Sequence, residues 1–472
     1  MGDLASIVKA YDIRGVVPDQ LDESAAEAIG AAFAKLTGAA TILTVHDMRA
    51  SSGPLADAFG RGAAAQGASV LAAGLGSTDM LYYGSGDRGI PGAMVTASHN
   101  PPQYNGIKLC RAGAKPVAIE TGLKDIRDLA ERPWPPAPVP GSTTAVDLLP
   151  GYAEYLRKLV DISSIRPLTV AVDAGNGMAG YTVPKVFEGL PVTVIPLYFE
   201  LDGTFPNHEA NPLQPENLRD LQRTVVEHRA DLGLAFDGDA DRCFVVDERG
   251  QVVSPSALTA LIAARELARE PGATVVYNLI ASRAVPEIIA EHGGVPVRTR
   301  VGHSYIKATM AKTGAVFGAE HSGHFYFRDF WFADSGMLAA LHTLAALGDQ
   351  PGPLSELMAG YVRYHPSGEI NSEVADQAQA TERVKQAFAR RSGVRTEELD
   401  GLTVSAVAWR FNLRPSNTEP LLRLNVEADR ETAMATLRDE VLGLVRKETG
   451  TVRNETGPAG PAAAAGQASK DT

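Results

Sequence analysis

Short β-rich apolar runs alternate with amphipathic stretches along most of this chain, the pattern of stacked α/β layers. Residues 40–45 predict a strand, 54–66 a helix and 68–72 a second strand. The apolar run 93–97 predicts a buried strand that feeds the segment TASHNPPQYNGIKLC, 96–110. The Pro/Ala-rich stretch 131–142 predicts a connector. A second unit follows, with the helical pattern GYAEYLRKLVDI, the strand LTVAVDA, a Gly-rich turn with a helix after it, and the strand VTVIPLYF. A third opens on the helical SALTALIAARELARE and ends near the helix DSGMLAALHTLAALG. From about residue 362 strands and helices mix differently, with LLRLNVEA as a strand. These breaks divide the chain at 1–147, 148–251, 252–363 and 364–452, and leave 453–472 as an Ala/Gly/Pro tail with nothing to pack, expected to be disordered. The first three units share a β/α rhythm without a short exact repeat.

Composition narrows the class. At 472 residues the chain is too long for one core. Lys plus Arg total 44 against 56 Asp plus Glu, a formal charge of −12, which argues against non-specific binding to nucleic acid or an anionic membrane. Anionic small molecules stay possible, because local basic loops overrule net charge. Two cysteines, Cys110 and Cys243, make neither a disulfide framework nor a cysteine zinc site, and a cytoplasmic location is expected. The first residues carry an early acid and no long apolar stretch, unlike a secretory signal, and no run is long enough for a membrane span. The sequon at Asn454 is read as chance.

Several segments carry chemistry. In TASHNPPQYNGIKLC a small hydroxyl, Ser98, stands where a strand ends, and Pro101 and Pro102 stiffen the exit. Such a loop serves a binding site or an ordinary turn. Gly175, Gly177 and Gly180 follow a strand, with Glu200 further on, as in a dinucleotide fingerprint; the small unit argues for a plain βα turn instead. FDGDADR places Asp237, Asp239 and Asp241 at alternate positions. Three carboxylates so close repel unless a cation neutralises them, and hard oxygen ligands suit Mg²⁺ or Ca²⁺. An EF-hand is the rival reading, with Glu248 at loop position 12, but Arg242 takes the place that needs glycine and the flanks read as strands. GAEHSGHFYF offers Glu320, His321, Ser322 and His324 for a polyhydroxylated ligand, or forms a polar turn at a core edge. LRPSNTEPLLR clusters Arg414, Ser416, Asn417 and Thr418 as a phosphate cradle, or as a bonded turn before a strand. YDIRG supplies Tyr11, Asp12 and Arg14, and VGHSYIK supplies His303 and Lys307.

In this order, YDIRG, TASHNPPQYNGIK, DGDADR, GAEHSGH and RPSNTEP resemble the α-D-phosphohexomutase family, above all its bacterial phosphomannomutase/phosphoglucomutase branch. The resemblance covers nearly all of the chain except the tail. It implies three related α/β domains plus a C-terminal α+β domain, in a four-domain heart-shaped arrangement around a central cleft. It implies that Ser98 carries a transferable phosphate, that Ser98, Asp237, Asp239 and Asp241 hold Mg²⁺, and that His99 and Lys108 belong to the serine motif. Glu320, Ser322 and His324 would grip sugar hydroxyls. Arg414, Ser416, Asn417 and Thr418 would bind the non-reacting phosphate. Tyr11, Arg14, Arg242 and His303 match further cleft positions, and Lys108, His303 and Arg14 are the candidates for proton transfer.

The implied activity interconverts hexose 6-phosphate and hexose 1-phosphate, with mannose preferred, through a phosphoserine enzyme and a 1,6-bisphosphate that also serves as activator. The implied partners are sugar phosphates, and the implied state is a monomer or weak homodimer. Phosphoglucosamine mutase is the alternative within the class; a non-catalytic sugar-phosphate binder and an NAD-dependent oxidoreductase are alternatives outside it. One departure stands out: a family lysine in the strand opening the third domain is missing from VVYNLIASR, where Asn278 lies near that place. Arg298 and Arg300 are expected to supply the positive charge instead, and His321, where glucosamine-phosphate mutases more often show glutamine, leans the reading toward mannose or glucose.

Overall fold

A computed structural model describes residues 4–416 and 421–447, so Asn417, Thr418 and the tail lie outside the described residues. The apolar runs become strands close to where they were read, at Thr41–His46, Ser69–Leu75, Gly92–Val95, Leu168–Asp173 and Leu421–Ala428. The amphipathic stretches become the helices Ser52–Ala65, Leu149–Leu159, Pro255–Arg269 and Gly336–Gly348. Gly336–Gly348 is buried all round, which is why its composition carries no polar face.

The shared rhythm of the first three units is a shared topology. In the second sheet, Leu168–Asp173 lies between Val192–Leu197 and Leu232–Phe236, parallel to both, and Cys243–Asp247 then folds back antiparallel beside Leu232–Phe236, with Val252–Val253 beyond it. The third sheet repeats this order with Thr274–Asn278 between Val295–Thr299 and Phe317–Ala319, then Phe325–Phe327 antiparallel and Ala333–Asp334 beyond it. The first sheet sets Thr41–His46 between Ser69–Leu75 and Gly92–Val95, with Tyr104–Arg111 antiparallel beside the last. Each unit therefore makes one hairpin from its third parallel strand to its first antiparallel one. Those three hairpins carry Ser98, the three aspartates and the stretch from Glu320 to His324, and are named here the serine, acid and sugar loops, the last after the ligand expected for it. The fourth unit is an antiparallel sheet with two helices, Gln377–Ala389 and Glu431–Val445, over its own core of Phe388, Phe411 and Leu424.

One apolar core runs through the first three units, from Leu43 and Met94 through Val172 and Phe236 to Phe317 and Leu344. At their junction Asp79, fully buried, accepts hydrogen bonds from three hydroxyls, one from each unit. Ser77 Oγ donates from the first, Tyr152 Oη at 2.7 Å from the second, and Ser335 Oγ at 2.7 Å from the third. Ser335 also caps the Gly336–Gly348 helix. Burial pushes the Asp79 carboxyl up to about 6, against the pull of the three donors.

A raised carboxyl favours folding while it is protonated, so that stability is present below the unfolded value and is lost as pH rises through the folded one. Replacement by Asn removes the titration. The unfolding free energy of Asp79→Asn, relative to the unaltered protein, is expected to rise by about 2 kcal/mol between pH 4 and pH 6.5. Urea titrations at each pH measure it, and a difference that stays flat with pH would show that Asp79 does not titrate there.

Candidate active site

The serine loop begins where Gly92–Val95 ends, and Tyr104–Arg111 returns from it with Lys108 opposite Met94. Pro101 and Pro102 give no backbone N–H, so this return is a loop rather than a continued ladder. Ser98 sits in the left-handed region with φ 51°, which costs a non-glycine residue about 1–2 kcal/mol. The geometry turns its side chain toward the second unit. Ser98 Oγ donates to Asp237 Oδ2 at 2.8 Å and lies 3.2 Å from His99 Nδ1.

The acid loop joins Leu232–Phe236 to Cys243–Asp247 in a hairpin whose last register pair is Phe236 with Cys243. Strand flanks exclude the EF-hand, and Glu248 is taken up by the backbone N–H and hydroxyl of Ser355. The glycine at 238 is required by the close approach of the serine loop: a Cβ there would lie 2.4 Å from the Ser98 carbonyl oxygen. The Gly-rich turn 175–180 also packs here, with Met178 N donating to Gly238 O at 2.9 Å and Asn176 Nδ2 to Glu200 O at 2.9 Å. The turn thus shapes the acid loop, as a plain βα turn does.

Asp237, Asp239 and Asp241 are buried, and one carboxylate oxygen from each falls within 4.8 Å of the others. Lys108 Nζ, from the first unit, donates to Asp239 Oδ2 at 2.7 Å and Asp241 Oδ2 at 2.6 Å. Arg242 Nε donates to Asp237 Oδ2 at 2.7 Å, and Thr78 Oγ1 to Asp239 Oδ2 at 2.5 Å. Burial, together with repulsion from Asp241 and Asp239, pushes the Asp237 carboxyl up to about 7 against the pull of Arg242. Asp241 goes the other way: burial is outweighed by Lys108, His324 and Arg242, which hold it well below the carboxylate range. Asp239 Oδ1 and Asp241 Oδ1 are buried with no hydrogen-bond partner. Hard oxygen donors, two of them unsatisfied, in mutually repelling acids fit a divalent cation of the Mg²⁺ class.

The third unit closes over this pair. Its sugar loop meets the acid loop directly: Arg242 and His324 form a backbone bridge, and Cys243 N donates to Gly323 O at 3.3 Å. Glu320 is held by Gly302 N at 2.8 Å and Tyr326 Oη at 2.7 Å. Ser322 Oγ lies 3.0 Å from His324 Nδ1, and His324 Nε2 lies 3.5 Å from Asp241 Oδ1. Burial works against a proton on His324, but Asp241 and Asp334 outweigh it and raise its pKa. His303 packs edge-on against Tyr11 at 4.6 Å between ring centres, and burial, then Lys307, pushes its pKa down to about 3. Lys108 is displaced in the opposite direction. Burial lowers it, but Asp239 and Asp241 outweigh burial and raise it, so its field is not that of a lysine primed to take a proton. Arg14 donates to Asn100 Oδ1 and Asp12 Oδ2, both at 2.5 Å.

Ser98, His99, Lys108, Arg242, His324 and the three aspartates are thus one contact network, with Arg14, Tyr11, His303, Glu320 and Ser322 on its margins. Arg414 and Ser416 form a second group in the fourth unit, where Glu369 bridges Arg414 and Arg423 at 3.1 Å each and Arg423 donates to Ser416 Oγ. Asn278 is buried, with neither amide atom hydrogen-bonded. Arg298 and Arg300 do not stand in for a cleft lysine: Arg298 pairs with Glu397, and Arg300 Nε donates to Leu399 O at 2.9 Å, both in the fourth unit. His321 lies apart from Glu320, Ser322 and His324, with Nδ1 3.3 Å from Ser256 Oγ beside a cavity of about 320 Å³ between the third and fourth units.

Four residues went unnoticed in the sequence: Arg49, Thr78, Asp334 and Glu369. Asp334 neutralises Lys307 at 2.7 Å, and Arg49 binds the serine loop. None of these four has a spacing motif; a fifth, Arg423, could have been found as the second arginine of the cradle segment.

Comparison with known proteins bears on this geometry. Phosphoglucomutase/phosphomannomutase domain profiles match in order: alpha/beta/alpha domain I over residues 5–133, domain II over 150–250, domain III over 254–364, and the C-terminal domain over 369–444. A phosphomannomutase of Escherichia coli K12 is 38% identical over 444 residues, 92% of this chain and 97% of that one. A phosphohexose mutase of Xanthomonas campestris is 41% identical over 444 residues, 93% of this chain and 98% of that one. The crystal structure of a phosphoglucomutase/phosphomannomutase family protein from Burkholderia thailandensis superposes with a TM-score of 0.85 at 31% identity, covering 94% of this chain and 98% of the other.

The unsatisfied oxygens predict a saturable cation site. Titration calorimetry with Mn²⁺ is expected to give about one ion per chain, and Asp239→Asn is expected to weaken it about tenfold or more. Unchanged affinity in that variant would place the ion elsewhere.

Proposed function

The chain belongs to the phosphoglucomutase/phosphomannomutase family, and from that premise we propose that it interconverts mannose 6-phosphate and mannose 1-phosphate through a phosphorylated Ser98. It is a phosphohexomutase, an intramolecular phosphotransferase of the isomerase class. The observation that carries the proposal is Ser98 Oγ aimed at Asp237 Oδ2, 2.8 Å away, from a backbone held in the left-handed region.

The reaction then runs in two balanced transfers. In the first, the P–Oγ bond of phospho-Ser98 breaks and a P–O bond forms to the free C1 or C6 hydroxyl of the hexose phosphate, whose proton leaves. The bisphosphate turns end for end, and the other phosphoryl returns to Ser98 Oγ while a proton returns to the sugar oxygen released. Such transfers pass through a loose transition state, so charge neutralisation and alignment supply most of the catalysis. When bound by Ser98, Asp237, Asp239 and Asp241, Mg²⁺ supplies positive charge beside the transferring group. Lys108 and Arg242 add fixed cations, which the phosphate and the aspartates share. Of the candidates for proton transfer, His303 is kept neutral by burial and Lys307, whereas Asp239 and Asp241 hold the proton on Lys108 against burial. Glu320, Ser322 and His324 orient sugar hydroxyls, and Arg414, Ser416, Asn417 and Thr418 hold the phosphate that is not reacting. Hexose 1,6-bisphosphate would activate the enzyme by restoring the phosphate on Ser98.

Ser98→Ala is expected to lower kcat by a factor of about 10³ or more while binding mannose 1-phosphate within about threefold of the unaltered protein, by calorimetry. Near-normal turnover in that variant would end the phosphoserine route. Coupled assays with mannose, glucose and glucosamine 1-phosphates are expected to give the highest kcat/KM for mannose; a preference for glucosamine would overturn the sugar assignment.

A further inference from the structure

We infer that Arg49 is a positioning residue for phosphoryl transfer: it sets the direction of Ser98 by binding the carbonyls of the serine loop. The inference rests on Ser98 being the phosphoryl carrier. Arg49 follows the strand Thr41–His46 and is buried. Its Nη1 donates to Pro101 O at 2.8 Å and Tyr104 O at 3.1 Å, and its Nη2 to Ser98 O at 2.9 Å and Asn100 O at 2.7 Å. Its Nε faces Asp47 Oδ2 at 3.3 Å. The four Nη N–H groups of the guanidinium are therefore committed to one loop, while Nε makes an ion pair with Asp47 and no hydrogen bond.

The loop needs these donors because of its sequence. With Pro101 and Pro102 it cannot form a regular ladder, so its carbonyls depend on other donors, although Pro101 O also accepts from Tyr104 N at 3.0 Å. Asp47 anchors the fork in turn, accepting from Arg49 N at 3.0 Å and Ser52 Oγ at 2.5 Å. The second unit covers the guanidinium from outside, with the Phe205 ring centre 5.0 Å from Cζ.

Ser98 is thereby pinned at both ends. Its N–H donates to Thr96 Oγ1 at 2.9 Å and its carbonyl accepts from Arg49, so both ends of the left-handed turn are held. The same Ser98 carbonyl is the point at which the acid loop touches, against Gly238. A shift of that carbonyl moves Oγ relative to Asp237. Misplacement by about 1 Å in a transfer of this kind costs about 100-fold in rate. Lysine cannot replace the fork, since three donors on one ammonium do not span four carbonyls.

The test follows phosphate incorporation. Dephosphorylated enzyme is mixed with glucose 1,6-bisphosphate, and the phosphate gained at Ser98 is timed by intact mass, beside steady-state kinetics. Arg49→Lys is expected to slow both incorporation and kcat about 100-fold, with KM changed less than about threefold. Asp47→Asn, which loosens the fork but keeps it, is expected to slow both about tenfold and decides the matter should Arg49→Lys fail to fold. Incorporation at the normal rate in a folded Arg49→Lys, or failing that in Asp47→Asn, overturns the positioning role, as does a KM that rises in step with the fall in kcat/KM. No phosphate on Ser98 in the unaltered protein overturns instead the phosphoserine reading beneath it.

Discussion

Three carboxylates gathered out of water repel one another, and the arrangement of the first three domains is the answer to that repulsion. Two unit charges about 4 Å apart in a protein interior interact by roughly 4 kcal/mol, so the cluster needs cations close by. The acid loop supplies Arg242 itself, the first domain sends Lys108, and the third sends His324. No single domain contains the neutralised set. The cluster links the three, as the apolar core does, and the Asp79 junction joins them again.

That convergence follows from the repeated topology. Each of the three sheets turns from parallel to antiparallel at the same place, and at that turn one carries a serine, one three aspartates and one the Glu-His-Ser-Gly-His run. A hairpin at the end of parallel strands is freed from ladder bonding, and it accommodates strained residues such as Ser98 and Ala240. The scaffold repeats while the chemistry of the three loops differs. Local sequence decides what each hairpin does, and the topology decides only that they are placed for use together.

The fold was legible in the sequence because periodicity is a local property. The flanks of FDGDADR read as strands, which is what separates a hairpin from an EF-hand, and LLRLNVEA is the strand Leu421–Ala428. Residues that carry chemistry at fixed spacing were also legible. The supports were not, because they act across distance: Thr78 meets Asp239 from 161 positions away, and Ser335 meets Asp79 from 256. Arg49 sits in HDMRAS, a stretch that offers no spacing to read. Adjacency misled in the third domain, where His321 neighbours Glu320 in sequence yet turns to Ser256. Arg298 and Arg300 misled by type, since any arginine near a cleft looks available until its partner is seen.

The partners of the cleft cations bear on how an acidic protein holds an acidic substrate. Lys108 rests on Asp239 and Asp241, Arg14 on Asp12, and Arg414 on Glu369. A phosphate entering such a site gains these cations only in competition with the carboxylates already there, so its binding energy is a difference between two sets of ion pairs. A small difference suits this reaction. A bisphosphate gripped with the full strength of unpaired cations would be fixed in one orientation, whereas one that trades places with resident carboxylates can release either end and turn. On the proposed reading the buried acids would do two things at once: make a place for a divalent ion, and keep the grip on phosphate weak enough for the intermediate to reverse.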